Sequence, residues 1–121
     1  MSAGERRLGD ILDERAPALA LAARQLLYEE QPELSKLGEN GRERTLEDFV
    51  HHFRALASMD TTIFAAHVRY CEALFALRQF PQHWLTDAWR FMETTMARDM
   101  PSHAGEVTSV LRAGVAAARA G

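Results

Sequence analysis

Most of the side chains able to do chemistry in this chain are concentrated in residues 41–80. They are Thr45, Asp48, His51, His52, His67 and the single cysteine, Cys71. His83 follows closely, and only His103 of the five histidines lies well away. Thr45-Leu46-Glu47-Asp48 has the spacing of a helix-capping box, a threonine followed three residues on by an acid. Arg42-Glu43-Arg44 are good helix formers that can carry the helix further back, which leaves Asp48 in a helix interior, where aspartate has low propensity. Both readings stand on the sequence.

His51 and His52 are adjacent, so on a helix they point about 100° apart and cannot ligate one metal from the same face. His67 falls on an apolar helical face, and a single buried histidine is more often a hydrogen-bonded core residue than a ligand. With one cysteine and no His/Glu pair at i, i+4 turned to one pocket, neither structural nor catalytic zinc is expected. No Ser-His-Asp set, G-x-S-x-G turn or kinase element is present, so the sequence gives no reason to expect an enzyme.

These residues ride on amphipathic helices. Leu46, Phe49, Val50, Phe53, Leu56 and Ala57 form one stripe at i, i+3, i+4 and i+7, predicting a helix over 42–58. Asp60 or Thr61 can cap a second helix reaching about residue 79, with Phe64, His67, Val68, Cys71, Leu74 and Phe75 inward. Before them, Leu8, Ile11 and Leu12 suggest a short helix stopped ahead of Pro17. Leu19, Ala22, Ala23, Leu26 and Leu27 suggest another over 18–30, then one turn at 33–37 and a loop through Gly38, Asn40 and Gly41. Pro81 suits the start of a helix lined by Trp84, Leu85, Ala88, Trp89, Met92, Thr95 and Met96. Pro101-Ser102 ends it and caps a last helix carrying Val107, Val110, Leu111 and Val115. No period-two alternation appears. The expectation is a single all-α domain over 1–121 with about six helices, packed as a globin or bundle, and with 1–7 and 113–121 loosely held.

The 121 residues are 47% hydrophobic and 26% charged, ordinary for a soluble domain with a core of its own. The net charge is −3, and a mildly acidic chain without a basic block is ill-suited to nucleic acid. A lone cysteine fits a reducing compartment, MSAGERRLGD has no apolar signal-peptide core, and no apolar run approaches the roughly 20 residues of a membrane span. A cytoplasmic location is expected. The aromatic and methionine side chains could fill the core unaided, or could line an apolar cleft for a large planar ligand with arginines at its rim.

The segment 42–81 resembles the heart of the phycobiliproteins, globin-like helical proteins that hold linear tetrapyrroles. The corresponding pieces are Arg42-Glu43-Arg44-Thr45-Leu46-Glu47-Asp48, His52-Phe53-Arg54-Ala55-Leu56-Ala57, Met59-Asp60-Thr61-Thr62, Val68-Arg69-Tyr70-Cys71 and Phe80-Pro81. The segment is also similar to the bilin-binding helical domain fused to cobalamin-binding domains in some bacterial photoreceptors. The resemblance implies a small sensory module for a bilin such as biliverdin, acting through a homodimer or a signalling or cobalamin-binding partner domain. It implies that Asp48 accepts hydrogen bonds from pyrrole N–H groups and that Arg42 and Arg44 meet propionates. His52, Tyr70 and aromatic residues such as Trp84 would pack around the rings. Thr45 stands where the family has its thioether cysteine, and a hydroxyl does not substitute for a thiolate in that attachment. A bilin would therefore be held non-covalently, or through Cys71 on another helix. Asp99 and His103 lack the Asp-x-His-x-x-Gly spacing of a cobalamin site. Haem held by His67 or His52 is the weaker cofactor alternative. A ligand-free interaction module that dimerises or docks through the helix over 84–96 is the other functional class.

Overall fold

A computed structural model describes residues 3–120, with side chains from Leu8 onward. All described secondary structure is helical: α1 (Ala3–Glu30), a 3-10 helix (Pro32–Leu37), α2 (Gly38–Leu56), α3 (Thr61–Leu77), α4 (His83–Asp99) and α5 (Ala104–Ala120). The all-α expectation holds. The number of α-helices is five rather than about six, because the first two expected helices are one.

That fusion occurs at Pro17, which lies inside the 28-residue α1. An internal proline removes one backbone hydrogen bond and crowds the preceding turn, at a cost of about 3 kcal/mol. Leu8, Leu12, Ala16, Leu19, Ala20, Ala23 and Leu27 make one continuous buried stripe across it, against α2 and α4. Full burial of a leucine is worth about 1.5–3 kcal/mol. A few such residues on each side of Pro17 therefore outweigh the break.

The loop expected at residues 38–41 is also helical. Gly38 takes a positive φ of 74°, which reverses the chain sharply enough for α2 to begin at once. A Cβ on Gly41 would collide with the Leu37 side chain, so the close approach of the 3-10 helix to α2 requires glycine there. The early start places Thr45 inside α2 rather than at its cap, and its hydroxyl donates to the Gly41 carbonyl oxygen at 2.8 Å. Thr45 and Asp48 therefore do not form a capping box. Asp60 does cap α3, its Oδ1 accepting from the Ile63 N–H at 3.0 Å. α3 stops at Leu77, two residues short of the expectation, because Gln79 adopts a left-handed φ of 60° and turns the chain toward α4.

α1 lies along both α2 and α4, α3 packs mainly on α5, and α4 bridges to α5. Phe49, Phe53, Phe64, Leu56, Val68, Met92, Met96 and Leu111 form the centre, all essentially inaccessible. The Ala-rich end of the chain is helical to Ala120 and closely packed. Gly114 sits against Phe64, and the Arg69 guanidinium donates to the Ala117 carbonyl oxygen at 3.1 Å. Among the described residues no helix is long and apolar enough to cross a membrane.

The two glycines of α5 make opposite demands. A Cβ on Gly114 would lie 2.7 Å from Phe64 Cδ2, whereas one on Gly105 meets nothing within 4 Å. Gly114→Ala should lose about 1 kcal/mol, overpacking of roughly 1–3 kcal/mol less the helical gain of alanine. Gly105→Ala should instead gain up to about 1 kcal/mol. Urea unfolding of both variants checks this, and a stabilised Gly114→Ala would contradict the packing of α5 on α3.

Candidate functional site

The end of α1, the 3-10 helix, one face of α2 and the start of α4 enclose an apolar cleft of about 150 Å³. Leu27, Leu34 and Leu37 form one side, and Phe75, Phe80, Trp84, Leu85 and Ala88 the other. Gly41, Arg44, Thr45, Asp48, Phe49 and His52 enter from α2. Residues 41, 44, 45, 48, 49 and 52 follow helical spacing, so one continuous face of α2 supplies every charged or titratable group in the cleft. The short reversal at Gln79 folds Phe80 back over the opening, edge-on to Phe75 with ring centroids 5.5 Å apart and 5.4 Å from Trp84.

Five of the nine sequence-derived site residues therefore share this cleft: Arg44, Thr45, Asp48, His52 and Trp84. Arg42 does not. Its guanidinium lies over the Tyr28 ring, 4.8 Å from the centroid, and its carbonyl oxygen accepts from Arg24, so it serves the α1–α2 contact. Tyr70 is 65% exposed on the outer face of α3, away from the cleft. His67 and Cys71 lie behind it and join the site only through His52.

Asp48 reaches solvent at the mouth, yet the apolar walls around it strip enough water to raise its carboxyl pKa above the ordinary value. Burial is the main cause; Arg44, His51 and Arg78 oppose it, and Glu47 adds to it. Solvent access at the mouth makes this a modest effect.

Behind the cleft, His52 Nδ1 and His67 Nε2 lie 2.8 Å apart, and Cys71 Sγ is 3.5 Å from the same His67 nitrogen. A 2.8 Å contact between ring nitrogens needs one donor and one acceptor, so at least one ring is neutral. The surroundings favour neutrality for both. Burial pushes the His52 pKa well below its usual value, helped by His67 and His51, and burial followed by His51 lowers that of His67. The Cys71 thiol is pushed up to about 12, by burial first and then by Asp48 and Glu72. The rings sit in an aromatic box: Trp89 lies 4.8 Å from His52, Phe49 5.9 Å from His52 and Phe64 5.9 Å from His67, centroid to centroid.

The sequence offers no His/Glu pair at i, i+4 turned to one pocket, but the structure brings two histidines and the cysteine together. His67 and Cys71 are an i, i+4 pair on α3, a relation readable in the sequence. The approach of His52 from α2 depends on how the two helices meet and has no local signal. The apolar walls at Leu34 and Leu37 likewise have no signal of their own, whereas Phe75 and Phe80 are among the aromatic residues that could line a cleft. No protein-family model, no curated protein and no solved structure matches the chain.

An acid whose pKa is raised by folding opposes folding once it ionises. Its penalty is absent below the unfolded value near 3.8 and grows as pH rises through the higher folded value. Asp48→Asn should therefore melt at a higher temperature than the wild type at pH 7, with the gap closing as pH falls toward 3.8. A variant that melts lower at pH 7 would mean that Asp48 is held by an ion pair rather than desolvated.

Proposed function

We propose that the protein is a small bilin-binding sensory module with a globin-like helical packing, acting in the cytoplasm. The observation that carries this reading is the open apolar cleft beside Asp48 and Arg44. The chain has six phenylalanines and two tryptophans with which to fill it. Phe49 lines the cleft yet is almost wholly buried, and Phe53 is fully buried in the core. A cavity of about 150 Å³ is the size of one that accepts a benzene ring, and smaller than the roughly 300–1,000 Å³ of enclosed drug-sized sites. The cleft would thus take one edge of a linear tetrapyrrole, with the remaining rings lying over the mouth against Leu37 and Phe80.

In that pose Asp48 accepts hydrogen bonds from pyrrole N–H groups, a task suited to a carboxylate kept in partly dry surroundings. Arg44 pairs with a propionate at the rim. Thr45 is already engaged with the Gly41 carbonyl, and Cys71 is a buried thiol with its pKa pushed up to about 12, which is poorly suited to attack a vinyl group. Attachment is therefore non-covalent. The haem alternative has less behind it, because His67 and His52 turn toward each other and only His52 reaches the cleft.

A second reading is favoured by the outer face of α3. Ile63, Ala66, Tyr70, Ala73 and Leu77 are all exposed and follow a 3-4 heptad spacing, the seam of a paired helix. This suits a homodimer, placed on α3 rather than on the α4 segment suggested by the sequence. Light scattering across a concentration series should show dimers that Tyr70→Glu abolishes; a wild-type monomer at high concentration would remove this reading.

Absorbance titration tests the bilin reading. Biliverdin should bind saturably with a sharpened red band, and Asp48→Ala should weaken it at least about tenfold, as for a lost hydrogen bond to a charged group. Absence of any spectral change would overturn the proposal.

A further inference from the structure

His52, His67 and Cys71 present three metal-ligand atoms within 4.8 Å of one another. Two come from one turn of α3 and the third crosses from α2, so two rigid helices fix the set. We propose that these three side chains form a binding site for a borderline-soft transition-metal ion, Zn²⁺ or one of its chemical class, with its remaining coordination position directed toward the cleft.

The ligand set selects the ion. Two imidazoles and a thiolate suit zinc, copper or cobalt and are wrong for calcium or magnesium, which take oxygen ligands. Three protein ligands rather than four leave a position for water or an exogenous donor, as in catalytic rather than closed structural zinc sites.

Distances are compatible. Zn–N of about 2.0 Å and Zn–S of about 2.3 Å in a tetrahedron separate two nitrogens by about 3.3 Å and a nitrogen from sulfur by about 3.5 Å. The observed separations are 2.8 Å and 3.5 Å. The His67–Cys71 contact is already at the required length, the imidazoles need to part by about half an ångström, and His52 and Cys71, within 4.8 Å of each other, need to come to about 3.5 Å, all by rotation about side-chain bonds. His52 is buried and lines the cleft, while His67 is only half-buried, which leaves a route of entry.

Without an ion the arrangement is an uneconomical way to bury polar groups. His67 Nε2 is the shared atom of both contacts, and it has either one proton or one lone pair, not enough to serve His52 and Cys71 together. A cation at the centre gives each of the three atoms its own bond. The surrounding shell of Trp89, Phe49 and Phe64 excludes competing water and holds the rings in place. The site shares His52 with the cleft but draws on neither Asp48 nor Arg44, so loss of biliverdin binding in Asp48→Ala and loss of the metal in Cys71→Ser test the two proposals separately.

The test is a titration of the tag-free, reduced 121-residue chain with Co²⁺, followed by displacement with Zn²⁺ and repeated on Cys71→Ser and His67→Ala. One Co²⁺ per chain should bind, with a thiolate-to-cobalt charge-transfer band and the strong visible bands of a four-coordinate ion. Zn²⁺ should abolish both. Cys71→Ser, a near-isosteric change, should remove the charge-transfer band, and His67→Ala should weaken binding by more than the 10–100-fold typical of outer partners. Asp48→Ala should retain the site. Co²⁺ binding without a thiolate band would mean that the surface histidines are the ligands and would overturn the proposal. So would an unchanged band in Cys71→Ser, or no saturable binding at all. Circular dichroism of each variant separates loss of the site from loss of the fold.

Discussion

The 2.8 Å contact between the His52 and His67 rings fixes how α2 meets α3, and the candidate site depends on that meeting. Buried imidazoles without partners cost free energy comparable to a lost hydrogen bond or more. These two find partners only when the inner faces of α2 and α3 come together around Trp89. With His52 anchored there, the helical repeat carries Asp48 and Thr45 one and two turns back along α2, into the cleft. Packing chemistry at one end of the face thus sets the position of the carboxylate at the other.

The cleft persists for related reasons. The glycine at 41 lets the 3-10 helix close against α2, and the positive φ at Gln79 returns Phe80 over α4. Together these build walls from two short connections while Phe53, Phe64 and Met92 satisfy the core behind. Asp48 then stands in surroundings that disfavour its charge. Positions that sacrifice stability in this way are more often kept for binding than for folding.

Much of the fold is legible in the sequence because burial has a period. The stripes of α2, α3, α4 and α5 point inward as their spacing indicates, and Asp60 caps where a short acid before Thr61 should. The misplacements are local rules overruled by packing. Pro17 lies within α1 because the buried stripe continues on both sides of it. Gly38 and Gly41 look like a loop, yet one permits a sharp reversal and the other a close approach. Of the site, the Asp48–Thr45–Arg44 face is implied by resemblance and helical spacing. Arg42 and Tyr70 leave it because α1 claims one and the other faces outward. The His52–His67–Cys71 meeting joins residues on different helices, and no pattern along one chain segment encodes the angle between helices.

We propose that the α2 face from Gly41 to His52 is where this protein meets its ligand. The most direct measurement is a residue-resolved amide NMR map recorded as biliverdin is added to the intact chain. The expected result is a set of saturable shifts confined to Arg44, Thr45, Asp48 and His52 on α2 and to Phe80, Trp84 and Ala88 across the cleft. Shifts centred instead on Ile63, Tyr70 and Leu77, or none anywhere, would contradict it.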